Sequence, residues 1–168
     1  GAPIAGADVL VMGGGRTGVR ARSSATGEFA ASGLPPTSEG YVIVLAPKCA
    51  VAVREPVEIS QRTAQSITLR LEPEHVLAGR VVAVEGTPVV HARVEVRGER
   101  KLASHARKNV SWERAAQIDT QWTDADGRFR FAQLYAGEFD VEATDADRSA
   151  TARASAGDEA IELRLLER

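Results

Sequence analysis

The chain contains one sequence pattern twice, and this internal repeat constrains its fold more than any other feature. The repeated blocks are Gly1-Ala-Pro3-Ile-Ala-Gly-Ala7-Asp-Val9-Leu-Val11 with Gly86-Thr-Pro88-Val-Val-His-Ala92-Arg-Val94-Glu-Val96, Thr26-Gly27-Glu-Phe29 with Asp126-Gly127-Arg-Phe129, and Ile67-Thr-Leu69-Arg-Leu71 with Ile161-Glu-Leu163-Arg-Leu165. They keep their order, at offsets of 85, 100 and 94 residues. We therefore predict two copies of one small domain.

The repeat predicts domains at residues 1–73 and 74–168, each long enough for a modest core. Pro73 lies at the border, where a residue that cannot donate to a β-ladder is expected. The second copy has an apolar strand pattern over residues 76–84, before its Gly86 block, and no counterpart precedes Gly1. We therefore expect the first domain to lack its first strand and the chain to be part of a longer one.

Apolar and polar residues alternate along most of the chain, which is typical of strands with one face in the core. Strands are predicted in the second copy over residues 76–84, 92–96, 120–123, 128–131, 138–143, 151–154 and 160–165. In the first copy they are predicted over residues 7–11, 18–23, 28–30, 41–45, 50–53 and 66–71. Short strands without βαβ spacing predict an all-β chain of two tandem Ig-like β-sandwiches.

The turn segment of the second copy, residues 124–127, has two aspartates and a glycine, like the start of a calcium-binding loop. Such a loop needs an oxygen ligand at its fifth position and a glutamate at its twelfth. Arg128 and Tyr135 occupy those positions. We interpret the segment as a hairpin turn, in which Asp124 or Asp126 accepts local backbone hydrogen bonds.

Composition narrows the function classes further. The net charge of −2 gives no general attraction to nucleic acid, and no apolar stretch reaches the ~20 residues of a membrane-spanning helix. The single Cys49 predicts a small buried apolar residue and no internal disulfide. The three histidines lack metal-ligand spacing, and no nucleophile motif is visible. We predict no catalytic residue, no metal and no cofactor.

Four blocks of the second copy resemble the carboxypeptidase regulatory-like domain, a family similar to transthyretin-like and collagen-adhesin B-type sandwiches. They are Gly79-Arg-Val-Val, Gly86-Thr-Pro88-Val-Val-His-Ala92, Thr123-Asp124-Ala-Asp126-Gly127-Arg-Phe129 and Leu134-Tyr-Ala-Gly137-Glu-Phe139. The resemblance implies a seven-stranded, prealbumin-like sandwich without catalytic residues. It also implies an accessory module of secreted, periplasmic or cell-surface proteins, and hence an extracytoplasmic location.

The adhesin relatives form a Lys–Asn isopeptide bond, and their lysine lies in the first strand. Here that strand has Arg80 and no lysine. A guanidinium stays protonated and cannot be the amine nucleophile. We therefore reject such a bond for the second copy.

The second copy also has an insertion at about residues 98–118. From Arg97 to Arg114 it has six basic and two acidic residues, a net charge of +4. Leu102, Ala106 and Val110 recur at helical spacing, which predicts a short helix on the sandwich edge. The candidate partner-binding residues are Arg100, Lys101, His105, Arg107, Lys108 and Trp112.

Two interpretations of the insertion stay open: a docking loop for an anionic protein or glycan, and a solvated loop that caps the core. The sequence predicts a non-catalytic accessory, protein-interaction or spacer module of a larger extracytoplasmic bacterial protein. The alternative is a carbohydrate-binding module attached to a secreted hydrolase or peptidase, for which Trp112 and Trp122 would have to be exposed. Nucleic acid is not an expected partner.

Overall fold

The computed structural model of the chain describes residues 1–13, 17–98 and 118–167. The described residues are all-β, with no helix long or apolar enough to cross a membrane. They divide into two compact units, unit 1 over residues 1–73 and unit 2 over the described residues from 74 onward.

Twelve strands lie in the described ranges. Unit 1 contains β1 (Asp8–Met12), β2 (Gly18–Arg22), β3 (Thr37–Leu45) and β4 (Ala52–Ile59). Unit 2 contains β5 (His75–Val82), β6 (Arg93–Gly98), β7 (Ile118–Trp122), β8 (Arg128–Leu134), β9 (Glu138–Asp145), β10 (Arg148–Ser155), β11 (Ile161–Arg164) and β12 (Leu166–Glu167).

Unit 2 is a β-sandwich of two sheets around one apolar core. One sheet has the order β12-β10-β9-β6-β7 and the other the order β11-β5-β8. Alternate residues of β6, β8, β9 and β11 are buried, as the period-two pattern predicted. The core residues of the first sheet include Val94, Val96, Phe139 and Val141, and those of the second include Leu77, Val81, Phe131 and Leu163.

Unit 1 repeats the larger sheet of unit 2. Its order, β2-β1-β3-β4, matches β7-β6-β9-β10. The registers also correspond, because Val9 pairs with Ala21 as Val94 pairs with Gln121. The unit 1 core includes Val9, Val42 and Val44, each almost completely buried.

The segments that cover the sheet of unit 1 on its core side do not form the strands that the sequence predicted. Residues 28–30 and 66–71 were predicted as strands, and neither segment is a strand in the structure. Both still pack on the unit 1 core through apolar side chains: Phe29, Ala31, Leu34, Ile67, Leu69 and Leu71. The matching segments of unit 2 are β8 and β11, and both of them pair with β5. A strand needs a neighbour to bond its backbone, and the described part of unit 1 provides no equivalent of β5.

One hydroxyl, buried in unit 2 and half-buried in unit 1, fixes the same corner in both units. In unit 2, Thr123 Oγ1 donates to Val89 O at 2.7 Å and accepts from Ala92 N at 2.9 Å. In unit 1, Ser23 Oγ donates to Ile4 O at 2.7 Å and accepts from Ala7 N at 2.9 Å. The hydroxyl thereby fixes the chain that leads into β1 or β6 against the end of β2 or β7.

The adjoining hairpin turn is also the same in both units. Asp124 Oδ1 accepts hydrogen bonds from the backbone N–H groups of Asp126 (2.9 Å) and Arg128 (2.8 Å), as the turn interpretation predicted. Ser24 Oγ accepts the corresponding pair in unit 1, each at 3.2 Å. Gly27 and Gly127 follow with φ of 78° and 73°, a left-handed conformation that favours glycine.

Cys49 is less buried than the sequence predicted. It is half-buried and reduced, packs against the unit 1 core and forms an isolated β-bridge with Pro73. Its packing role is as predicted, although its burial is incomplete.

Candidate functional site

The predicted partner-binding residues lie outside the described residues. These are Arg100, Lys101, His105, Arg107, Lys108 and Trp112, and their role stays a prediction. The structure does show where their segment is attached: it leaves β6 after Gly98 and returns at Ile118 of β7. Arg97 pairs with Ile118 at that end of the hairpin, so the attachment point is a regular ladder.

The same hairpin has very different loops in the two units. In unit 1, β1 and β2 are joined by residues 13–17, and in unit 2, β6 and β7 are joined by residues 99–117. The strand registers on either side of these loops correspond. The additional chain therefore extends from a scaffold that is otherwise shared.

A second candidate site lies in the described part of unit 2, and we call it the Trp122 groove. Its volume is about 760 Å³. It is lined by Ala78, Gly79, Arg80, Gln121, Trp122, Asp124, Arg128, Phe129, Arg130, Glu159, Ala160, Ile161 and Glu162. These residues come from β5, β7, β8 and β11, from the turn between β7 and β8 and from the chain just before β11, so both sheets of the sandwich contribute.

Trp122 is the most distinctive residue of the groove because 60% of it is exposed. It ends β7, the edge strand of its sheet, opposite Arg93 of β6. The sequence pattern around Trp122 does not decide whether its side chain faces the core or the solvent. The corresponding residue of unit 1, Arg22, pairs with Asp8 in the same register, so the aromatic ring is particular to unit 2.

Ion pairs order the charged wall of the groove. Arg80 donates to Glu162 Oε2 through two nitrogens, at 3.2 and 3.0 Å, and Arg164 donates to Glu162 Oε1 at 3.0 Å. The hydrogen bond from Arg80 and, to a smaller extent, the one from Arg164 lower the pKa of the Glu162 carboxyl from its ordinary value of 4.5. Glu162 is therefore an anion held between two cations at neutral pH.

The lining residues of the groove include equal numbers of basic and acidic side chains. Arg80, Arg128 and Arg130 face Asp124, Glu159 and Glu162 among the lining residues. Asp124 already accepts two backbone hydrogen bonds in the turn. An exposed indole beside fixed donors and acceptors suits a ligand that has both an apolar face and polar groups, such as a sugar ring or a peptide strand.

The outer face of the larger sheet is also charged, but its groups are paired. Glu95 accepts from Arg93 at 2.6 Å and from Arg97 at 2.7 Å. Burial raises the pKa of Glu95, and the hydrogen bonds from Arg97 and Arg93 outweigh it, so the net pKa is lowered. Glu95 is therefore paired with two arginines of its own strand. No group of three potential metal ligands occurs within the described ranges.

The groove and the attachment point of the insertion are at opposite ends of the same hairpin. Ile118 is at the insertion end of β7 and Trp122 at the groove end. Four residues of strand, at ~3.3 Å each, separate them by about 13 Å. The two candidate sites therefore start from different ends of the sandwich edge, and each can be tested alone.

The sequence matches no protein family and no curated protein. The resemblance to carboxypeptidase regulatory-like domains thus stays a hypothesis, while the sheets themselves establish the sandwich architecture.

Solved structures with a similar arrangement include two pilins. The chain is 12% identical to the minor pilin GBS52 of Streptococcus agalactiae, with a TM-score of 0.39, covering 100% of this chain and 86% of that one. It is 10% identical to the shaft pilin spaA of Lactobacillus rhamnosus GG, with a TM-score of 0.43, covering 99% and 89%.

A third similar structure is an enzyme, the 3-chlorocatechol 1,2-dioxygenase of Rhodococcus opacus. It is 10% identical with a TM-score of 0.43, and the match covers 56% of this chain and 60% of the dioxygenase. Pilins and a dioxygenase share this likeness, so it does not specify a function.

Proposed function

We propose that the chain is a non-catalytic protein-interaction and spacer module of a larger extracytoplasmic bacterial protein. The observation that carries the proposal is that the two units share one scaffold but have loops of very different length at the same position. Two units repeat the same sheet, hydroxyl bridge and turn, while the connection between their matching strands changes from residues 13–17 to residues 99–117. Loops on rigid sandwiches commonly hold binding functions.

The polar side chains of the described scaffold support the same proposal. The buried hydroxyl of Thr123 and the carboxylate of Asp124 bond the protein's own backbone. Glu162 and Glu95 are each held by two arginines. These groups stabilise the sandwich, so we assign partner binding to the basic insertion.

The insertion's net charge of +4 over residues 97–114 favours an anionic protein surface or glycan. The test is a pull-down from extracts of the source organism with the chain as bait. A variant with Arg100, Lys101, Arg107 and Lys108 all changed to Glu is compared with the unchanged chain. We expect the unchanged chain to hold a partner that the variant loses.

The matched control changes four exposed arginines of unit 1 to Glu: Arg20, Arg54, Arg62 and Arg70. It alters the net charge by the same amount at another surface. Loss of the partner only in the insertion variant would support docking there. Equal binding by all three proteins, or equal loss in both variants, would contradict it.

A second candidate function, carbohydrate binding, is favoured by one observation. Trp122 is 60% exposed in a groove beside Gln121 and the charged wall of Arg80 and Glu162. Sugar rings stack on exposed indoles while their hydroxyls bond neighbouring polar groups.

A glycan array followed by calorimetry tests this function with Trp122→Ala against Leu166→Ala, whose residue is similarly exposed at 57%. Binding lost only with Trp122→Ala would support a glycan site. Absence of glycan binding by the unchanged chain would exclude it for the sugars tested.

A further inference from the structure

The second layer of unit 1 exposes apolar side chains that unit 2 buries. Phe129 is 4% exposed and Leu163 is 2% exposed, whereas the counterparts Phe29 and Leu69 are half-buried. The buried apolar residues of these two segments in unit 2 are Phe129, Phe131, Leu134, Ile161, Leu163 and Leu165. Their half-buried counterparts are Phe29, Ala31, Leu34, Ile67, Leu69 and Leu71. The apolar residues of the same alternating pattern are therefore buried in unit 2 but only half-buried in unit 1.

The element that covers this set in unit 2 is β5. It pairs antiparallel with β8 and parallel with β11, and Gly79 is opposite both Phe129 and Ile161. Leu77 and Val81, on either side of Gly79, are 0% exposed. One strand thus completes both the ladder and the core.

Gly27 and Gly127 lie against corresponding residues of the two units, and the nearest neighbours of Gly127 also include β5. A Cβ added at Gly127 would be 3.1 Å from Pro88 Cβ and 2.7 Å from Val81 O. A Cβ added at Gly27 would be 3.0 Å from Pro3 Cβ, and its three nearest atoms all belong to Pro3 and Ile4.

The backbone groups that β5 satisfies are likewise present in unit 1. Val81 N donates to Gly127 O at 2.8 Å, and Val89 N donates to Val81 O at 3.0 Å. Their counterparts, Gly27 O and Ile4 N, have no hydrogen-bond partner within the described ranges. Unit 1 thus presents the donor, the acceptor and the apolar face that a β5-like strand requires.

We propose that unit 1 contains a strand-binding groove between residues 28–34 and 66–71, and that its occupant is a β5-like strand joined to Gly1. The strand runs antiparallel to the first segment and parallel to the second. It converts both into sheet and buries their apolar side chains.

The chemistry of the occupant follows from β5. Its inward positions have the pattern Leu77, Gly79 and Val81. The central residue must be glycine, because a Cβ at Gly79 would be 2.1 Å from Ile161 O. The groove therefore selects a Leu-x-Gly-x-Val strand.

The covalent connection to Gly1 follows from the second copy. There β5 ends at Val82 and reaches Gly86, the counterpart of Gly1, through residues 83–85. A strand held by so short a connection has an effective concentration of about millimolar or more, which a separate polypeptide does not reach.

The test adds a copy of the sequence of residues 75–85 directly before Gly1 of the full chain. Amide hydrogen exchange is measured at Phe29, Ala31, Ile67 and Leu69. We expect exchange at these amides to slow at least tenfold, because they enter a ladder. The matched control has Val instead of Gly at the copied position of Gly79 and should not slow exchange.

Unchanged exchange in the chain with the added strand would overturn the proposal, as would equal slowing by the Val control. An equimolar free peptide of the same sequence tests whether the strand must be joined covalently to Gly1. Equal protection by the free peptide would overturn the assignment to a strand joined to Gly1. This test does not depend on the partner-binding proposal, because it measures backbone protection in unit 1 alone.

Discussion

The sheet of unit 1 matches four of the five strands in the larger sheet of unit 2, and the two units differ in the layer that covers this sheet. In unit 2 the segments at β8 and β11 form strands on either side of β5, and in unit 1 the matching residues 28–30 and 66–71 do not. Both pairs of segments have similar alternation. The comparison teaches that alternation selects which side chains face the core, whereas the strand itself depends on a neighbour for its hydrogen bonds.

The largest expected difference between the units is at one pair of phenylalanines. Phe129→Ala removes a ring that is 4% exposed and should lower the stability of unit 2 by about 3–5 kcal/mol. Phe29→Ala removes a half-buried ring, so we expect less than about half of that loss in unit 1. Native-state hydrogen exchange, which follows each unit separately, measures both. Equal losses would show that the two layers are equally packed.

The turn glycines should give the next largest difference. Gly27→Ala and Gly127→Ala each place a side chain in left-handed backbone, at about 1–2 kcal/mol. Gly127→Ala should cost more, because its Cβ would also be 2.7 Å from Val81 O. Denaturant unfolding followed by residue-specific exchange measures the two losses. If the Gly27→Ala loss rises after a β5-like strand is joined to Gly1, the comparison is sharpened.

The hydroxyl bridges should differ by a smaller amount. Thr123→Val leaves Ala92 N and Val89 O unpaired in a buried place, at about 1–3 kcal/mol. Ser23→Ala removes the same bridge where the residue is half-exposed, so water can replace part of it and about 0.5–1.5 kcal/mol is expected. Thermal unfolding of both variants gives the comparison. A larger loss for Ser23→Ala would contradict this account of burial.

The smallest effect concerns pH. Glu162, which has Thr68 as its unit 1 counterpart, has a lowered pKa because Arg80 and then Arg164 hydrogen-bond its carboxylate. Its contribution to unit 2 is complete above the ordinary value of 4.5 and is lost as the pH falls through the lower folded-state pKa.

Glu162→Gln should therefore flatten part of the acid decline of unit 2 and leave unit 1 unchanged. Unfolding curves between about pH 6 and 3 check this expectation, with Glu159→Gln as the control on the same connection. An unchanged decline in the Glu162→Gln variant would show that the ion pair contributes nothing measurable.

Much of the fold could be predicted from local chemistry. The alternation of Val94 and Val96, and of Phe139 and Val141, placed their strands and their buried faces correctly. Such patterns succeed because each residue's exposure is set by the side of the sheet on which it lies.

Aligning the two copies would also have revealed backbone geometry that neither copy shows alone. His91 and Gln133 have φ of 58° and 59°, and their counterparts are Gly6 and Gly33. A glycine in one copy thus marks a left-handed position that the other copy fills with a larger residue.

The Trp122 groove could not be predicted in the same way. Its walls combine β7 of one sheet with β8 and β11 of the other, so it depends on how two sheets face each other. The pairing of Arg80 with Glu162 joins residues 82 positions apart. Local patterns contain no information on such distant neighbours.

The parallel pairing of β11 with β5 also sets an order of events in time. Ile161 pairs with Gly79, which lies 82 residues earlier in the chain. The central strand of the smaller sheet therefore cannot complete its pairing until β11 has been synthesised. The hairpin of β9 and β10, whose turn follows Asp145, can close as soon as it is synthesised. Non-local pairing of this kind slows folding, because the entropy of loop closure is lost before the contacts form. During synthesis, Leu77 and Val81 therefore stay uncovered on one side until β11 has been made, and this interval is when unit 2 is most exposed to aggregation.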